Sequence, residues 1–265
     1  MGMGRKILIT SGKGGVGKTT ITAGLGVALA KLGLSVVVID ADIGLNNLDV
    51  LMNLENKIQY DLNDYLCGRC RLKQCLVVDK KFSNLYTLPV VSEAQKSQFL
   101  ETFKELTDKL SKIFDYCLID CPAGVEENFK MALSGASEAI VVVTPHLASV
   151  RDADKVVSVL DGAGICVAGI VLNRVRGDLV VSGKMLSHAS VEALLGRNVL
   201  GCIPENDLIN VYSSYRFDAV VKKDEGQAFD YLCQNLHRGR QKMLDYTARY
   251  KGVIGGLRRW LKRNV

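Results

Sequence analysis

Residues 11–20 read SGKGGVGKTT and follow directly on the apolar run KILIT at 6–10. This pairing constrains the fold more than any other part of the chain. Gly12, Gly17, Lys18 and Thr19 match G-x-x-x-x-G-K-[ST], a loop that works only between a strand and the helix it opens. Its glycines let backbone N–H groups face phosphate oxygens, and the helix starting near Lys18 adds the positive end of its dipole. Lys18 would neutralise β- and γ-phosphate oxygens, and the Thr19 hydroxyl would ligate Mg²⁺. The expected nucleotide-binding stretch is Gly12, Lys13, Gly14, Gly15, Val16, Gly17, Lys18, Thr19 and Thr20. One lysine suffices for this task, so the role of Lys13 stays open at this point.

A strand–loop–helix start predicts more of the same. SVVVID (35–40), YCLIDC (116–121), AIVVVT (139–144), VAGIVLN (167–173) and VLGCIP (199–204) are continuous apolar runs suited to strands covered on both faces. Residues 18–32, 96–113, 148–160 and 183–195 have helical patterning, and 205–248 is expected to be largely helical. The expectation is an α/β fold, a doubly wound and mostly parallel sheet flanked by helices. Ligands of such sheets bind at the carboxyl ends of the strands. Gly12, Asp40, Asp120 and Asn173 each end or follow a strand. Asp120 closes YCLID as a magnesium-site carboxylate should, with CPAG breaking the chain behind it. Asp40 and Asp42 end the neighbouring run, so that one could serve Mg²⁺ and the other a water.

Composition narrows the classes that remain. A chain of 265 residues with 48% hydrophobic content and four prolines can bury one large core. Net charge is +6, and Lys251, Arg258, Arg259, Lys262 and Arg263 place five cations in residues 250–265 with no acid among them. A basic end, rather than a basic body, points to a surface met by the tail. Eight cysteines without a signal-peptide pattern suggest reduced thiols in a cytosolic protein. Cys67, Cys70 and Cys75 lack the second ligand pair and histidines of a zinc site. Small buried hydrophobes are the expected role of the cysteines.

The motif set KGGVGKTT, DADIGLNNLDVLM, LIDCPAG, TPHLASVRDADKVV and VLNRVRGDLV occurs here in the order and spacing of one group of ATPases. The chain resembles the MinD/ParA family, whose deviant Walker A loop carries a second lysine near its start. The resemblance spans nearly the whole chain and implies a P-loop NTPase fold of the SIMIBI type, with ATP and Mg²⁺ as cofactors. It implies that Lys13 reaches across an ATP-bound homodimer to the partner's phosphates, much as an arginine finger does. Catalysis would rest on Lys13, Lys18 and Asp42, with Asp42 orienting water, while Thr19, Asp40 and Asp120 hold Mg²⁺. Asn173, with Arg174 beside it, resembles the family's adenine-reading position. Two departures stand out: His146 follows TP where an acid is common, and Asn46 stands where some relatives carry arginine.

The carboxyl-terminal YKGVIGGLRRWLKRNV (250–265) carries a second signal. At helical spacing Val253, Ile254, Leu257, Trp260 and Leu261 cover about a third of the circumference. Arg258 and the other cations lie opposite, the pattern of a helix resting in an anionic membrane interface. Gly252, Gly255 and Gly256 cost it roughly 3 kcal/mol of helix propensity in water, so a surface has to organise it. Residues 1–248 are therefore expected to form the ATPase domain and 249–265 a membrane-targeting tail. The resemblance further implies a septum inhibitor like MinC, an activator like MinE or a topological factor such as DivIVA, and control of septum placement. The location would be cytoplasmic and peripheral to the inner membrane, or within a plastid. No specific nucleic acid is expected, because phosphate backbones ask for charge and not for an apolar face. A ParA-type partitioning ATPase is the alternative, with an iron–sulfur donor as a third possibility.

Overall fold

The computed structural model describes residues 3–42, 47–54, 57–90, 100–122, 127–206, 224–252 and 255–256. In chain order these form β1 Arg5–Thr10, α1 Lys18–Lys31, β2 Val36–Asp40, α2 Asn47–Leu51, α3 Leu62–Leu66, α4 Leu72–Cys75, β3 Val77–Val78 and β4 Leu85–Leu88. There follow α5 Leu100–Ser111, β5 Tyr116–Asp120, α6 Glu127–Ser134, β6 Glu138–Val143, α7 Leu147–Gly162, β7 Cys166–Val175, α8 Gly177–Val181, α9 His188–Leu195, β8 Val199–Pro204 and α10 Asp224–Arg238. The eight strands make one sheet in the order β3-β4-β2-β5-β1-β6-β7-β8. Every pairing is parallel except the short edge pair β3–β4.

Strand side chains alternate between two buried cores, as two-sided coverage requires. Leu8, Val37, Ile39, Cys117 and Ile119 face the layer built by α5, α6, α7 and α9. Ile7, Ile9, Val36, Val38 and Leu118 face α1, α2 and α10. The sequence changes side at β1: the chain leaves β1 for β2, returns to β5 on β1's flank, then crosses to β6. That reversal opens a crevice at the carboxyl ends of β1 and β5, where a doubly wound sheet takes its ligand.

Helix α1 is buried nearly all round, and its small residues explain how. It lies between the sheet and α10, with Gly26 against Val38 and Gly24 against the Phe229 ring. A Cβ at Gly24 would overlap three Phe229 ring carbons. Each interior glycine costs about 1 kcal/mol of helix propensity. Close packing on both faces offsets that cost and holds the first turn of α1 against the strand ends.

The expected strands at 6–10, 35–40, 116–121, 139–144, 167–173 and 199–204 all appear, within a few residues at their ends. β3 and β4 add an edge that apolar runs did not signal. Of the helix expected over 183–195, only 188–195 is helical, capped by the Ser187 hydroxyl accepting from the Ser190 amide. Of the stretch 205–248, expected to be largely helical, Asp224–Arg238 form α10, Gly239 leaves that helix with φ 62°, and 207–223 lie outside the described residues. Asn235 then ties down the return: its Nδ2 donates to the Leu200 and Lys242 carbonyls at 2.7 Å each, and its Oδ1 accepts from the Lys242 amide at 2.9 Å.

The α1–α10 contact makes a testable sign change. Phe229→Ala should cost about 3–5 kcal/mol by opening a cavity. Gly24→Ala should lower urea stability in the wild-type background, because its methyl meets the ring. In the Phe229→Ala background the same methyl fits the vacated space and should raise stability. Equal Gly24→Ala effects in both backgrounds would show that the two helices do not press on each other there.

Candidate functional site

The loop after β1 divides its glycines among different tasks. Gly12 lies against α7, and a Cβ there would overlap the Asp152 backbone. Gly15 has φ 75° and is exposed. Gly17 caps α1 in the left-handed region at φ 95°, ψ 32°, a conformation glycine adopts at no steric cost. A Cβ at Gly17 would also overlap Asn173 Nδ2. The Ser11 hydroxyl donates to the Lys13 carbonyl at 2.8 Å. That bond holds the loop's start while the Lys13 side chain stands exposed. Lys18, by contrast, is 7% exposed.

Two carboxylates face this loop. Asp40 and Asp120 are register partners at the ends of β2 and β5, both almost fully buried. Burial, reinforced by the Asp120 charge, pushes the Asp40 carboxyl up to about 8. Burial pushes Asp120 up to about 7, against hydrogen bonds from Thr19 and Thr22 and the nearby Lys18 ammonium. The Thr22 hydroxyl lies 3.1 Å from Asp120 Oδ1 and 2.9 Å from the Lys18 carbonyl. Asp42 is half-buried, and its carboxyl is raised by burial while Lys18 holds it down. Its amide donates to Asp40 Oδ1 at 3.0 Å, so the chain bends directly after Asp40 and sends Asp42 toward the loop lysine.

This donor set fits Mg²⁺. The ion takes one or two carboxylates, a hydroxyl and substrate phosphates rather than an all-protein cage. Two adjacent buried acids, with a hydroxyl on one of them, are arranged for a hard cation whose charge would relieve their mutual repulsion.

The third wall comes from β7 and β8. Pairing shifts register between Leu172 and Val175, and Arg174 adopts φ 57°. Such a bulge re-aims side chains next to a site. It turns the buried Asn173 inward, where its Nδ2 donates to the Val16 carbonyl at 2.7 Å, and leaves Arg174 exposed. A cleft lined by Gly17, Thr20, Asn173, Arg174, Pro204 and Glu205 results. It lies beside the phosphate loop, on the side away from the carboxylate pair.

The structure therefore gathers Gly12 to Thr20, Asp40, Asp42, Asp120, Asn173 and Arg174 on one rim. Three contributors were missed: Thr22, Pro204 and Glu205. Thr22 is one helical turn beyond Lys18, a spacing that could have flagged it, while Pro204 ends β8 and Glu205 follows it. His146 sits exposed at the N-cap of α7 without a side-chain capping bond. Val253, Ile254, Leu257, Arg258, Trp260 and Leu261 lie outside the described residues, as does Asn46. Among the described residues no three His, Cys, Asp or Glu side chains group as a metal site, and no helix is long and apolar enough to cross a membrane. Cys75, Cys117, Cys121, Cys202 and Cys233 are buried as expected, but Cys67 and Cys166 are exposed.

Residues 7–215 match the family model described as the CobQ/CobB/MinD/ParA nucleotide binding domain. The chain is similar to the septum site-determining protein MinD of Bacillus subtilis strain 168, with 46% identity over 208 residues, 77% of this chain and 78% of that one. Its fold is similar to a MinC:MinD cell division protein complex of Aquifex aeolicus, with TM-score 0.80 and 38% identity over 91% of this chain and 98% of that chain. It is also similar to the septum site-determining protein MinD of Pyrococcus horikoshii OT3 complexed with Mg-ADP. The TM-score there is 0.79 and identity 30%, covering 89% of this chain and 97% of that chain.

The carboxylate pair fixes a pH dependence. Both groups bind protons more tightly folded than unfolded, because their folded values of about 8 and about 7 exceed the ordinary 3.8. Their contribution to stability is thus largest at low pH and falls as pH rises toward 8. Nucleotide-free protein should lose melting temperature from pH 6 to 9 by way of these two groups. Asp40→Asn removes one of the two raised carboxyls while Asp120 stays raised by its own burial, so its profile should flatten in part. A wild-type profile as flat as the variant's would mean that the two acids ionise as they do in water.

Proposed function

The chain belongs to the MinD branch of the CobQ/CobB/MinD/ParA family and is a P-loop ATPase. On that footing we propose that it works as an ATP-bound homodimer on an anionic membrane, placing a division septum by holding a septum inhibitor there. The observation that carries this is the contrast between the loop lysines. Lys18 is buried against Asp42 and Asp120 and serves its own chain's phosphates. Lys13 is exposed at the loop's start, available to the phosphates of a second copy.

Within one chain the roles divide as follows. Backbone N–H groups of 12–19 cradle the phosphates, and Lys18 neutralises them. Thr19, Asp40 and Asp120 would hold Mg²⁺, which supplies Lewis-acid charge to phosphate oxygens when bound. Asp42, bent toward Lys18 by the Asp40 turn, positions the attacking water. Asn173 presents its amide at the adenine end with Arg174 beside it. Lys13 from the partner adds positive charge where it develops during transfer, which couples hydrolysis to dimerisation.

The partner reading follows the relatives. A MinC:MinD complex has this fold, which supports a MinC-like inhibitor as the cargo, with a MinE-like or other topological protein releasing it. Residues 249–265 act as the membrane-targeting tail of an ATPase domain spanning 1–248. The protein is then peripheral to the inner face of a bacterial or plastid membrane, and ATP controls its residence.

Two experiments test this. Lys18→Ala should abolish ATP binding, whereas Lys13→Ala should keep binding and lose the ATP-dependent dimer in light scattering. An ATP-dependent dimer in Lys13→Ala would remove the lysine from the interface. In sedimentation with anionic liposomes, wild type should pellet with ATP and not with ADP. Trp260→Glu should stay in the supernatant while still dimerising, since two weak tails act together through an avidity of about 10²–10⁴-fold. Trp260→Glu that pellets like wild type would place the membrane contact elsewhere.

A further inference from the structure

Three thiols fall within nine residues in CGRCRLKQC (67–75), and the nucleotide site uses none of them. Their spacing pairs Cys67 with Cys70, but the fold pairs differently. Cys67 caps the end of α3, is exposed, and its thiol faces Asn63 Oδ1 at 3.6 Å. Gly68 then turns the chain at φ 72°, and Arg69 is pinned to Asp64 by an ion pair at 2.9 Å. The Arg71 amide donates to Gln74 Oε1 at 2.9 Å and sets the start of α4. The result brings Cys70 Sγ to 3.0 Å from Cys75 Sγ. Cys75 is fully buried in the core beside the sheet, while Cys70 is partly exposed.

We propose that Cys70 and Cys75 form a reversible thiol–disulfide site, with Cys70 reacting first with a hydroperoxide and Cys75 resolving it. The asymmetry of exposure assigns the order. Cys70 is partly exposed and can meet an oxidant, whereas Cys75 cannot. Burial, the Cys70 contact and the acids Asp64 and Asp61 keep the Cys75 thiol protonated, so Cys75 is a poor first nucleophile.

The Cys70 thiolate attacks one peroxide oxygen, the O–O bond breaks, and the alkoxide leaves as alcohol after taking a proton. This gives a sulfenic acid on Cys70. Cys75 sulfur then attacks Cys70 sulfur, the S–O bond breaks, and the departing hydroxide takes the Cys75 proton as water. Two thiols lose two electrons and two protons, and the hydroperoxide becomes alcohol and water. Closing from 3.0 Å to the disulfide length of about 2.05 Å asks for only about 1 Å of movement. A dithiol reductant reverses the bond by exchange. The bond would tie α4 to the turn before it, at a corner the Leu62 amide docks on the Pro89 carbonyl at 2.8 Å.

Trypsin separates the three thiols, because it cuts after Arg69, Arg71, Lys73 and Lys80. Reduced full-length protein would be treated with equimolar hydrogen peroxide, unfolded and capped with N-ethylmaleimide in guanidinium so that buried Cys75 is reached, and digested without reductant. The dominant linked species should join residues 70–71 to residues 74–80, and dithiothreitol before capping should abolish it. In Cys75→Ser the Cys70 sulfenic acid should persist and be trapped by dimedone, and in Cys70→Ser the Cys75 thiol should stay fully alkylatable. A dominant Cys67–Cys70 link would overturn the proposal. So would oxidation of Cys67 or Cys166 with Cys70 and Cys75 both still capped by maleimide.

Discussion

Asp40 and Asp120 stand side by side because parallel strands β2 and β5 end in register, and most of the site follows from that placement. Neighbouring strands run about 4.8 Å apart, so two carboxylates at that spacing in a buried setting cannot both ionise without a cation. The first turn of α1 supplies what tempers them: Lys18 charge, and hydroxyls of Thr19 and Thr22 on Asp120. That turn has to lie directly over the strand ends. It does so because α1 is thin enough, at Gly24 and Gly26, to fit between the sheet and α10. A helix of ordinary bulk would lift the loop away from the acids it serves. Fold and chemistry are thus joined through the packing of a single helix.

The parts of this fold that depend on continuous apolar runs were legible in the chain. Each run placed a strand covered on both faces. What escaped has tertiary causes. β4 is four residues, LYTL, holding a Thr and a Tyr, and β3 is a two-residue edge. Neither is long enough to show a period. The run at 239–248 looks compatible with helix, yet Asn235 reaches out of α10 to satisfy that segment's backbone. No local pattern announces a bond made to a strand thirty-five residues away.

The site was legible to a similar depth. Motif spacing singled out the loop and the carboxylates, which the structure brings together at the ends of β1, β2 and β5. It could not show that Asn173 turns inward through a bulge, since a left-handed arginine leaves no trace in composition. Nor could it show that Gly12 is a glycine for the sake of α7. The cysteines divide in the same way. Their number suggested buried fillers, but the cap at the end of α3 turns Cys67 outward and presses Cys70 against Cys75.

The approach to the tail shows how the body could govern a segment so different in character. Beyond α10 the chain runs over α8, where the Tyr246 carbonyl and the Tyr250 ring press on Gly177 so closely that a Cβ would overlap the carbonyl oxygen. His188 Nδ1 and the Tyr246 hydroxyl, 3.0 Å apart, fasten the same stretch from α9. Across the adjoining cavity stand Val175, Pro204 and Glu205, at the strand ends that also frame the cleft beside the phosphate loop. The residues leading into 251–265 are therefore fixed to the rim that carries the nucleotide chemistry, and not hung on a loose linker. Effective concentration between two linked binding segments is greatest when the connection matches the span between their sites. In a dimer closed over that rim, anchored roots would set the spacing of two tails in advance. Much of the ordering cost of the second contact would then already be met in the ATP-bound dimer proposed above.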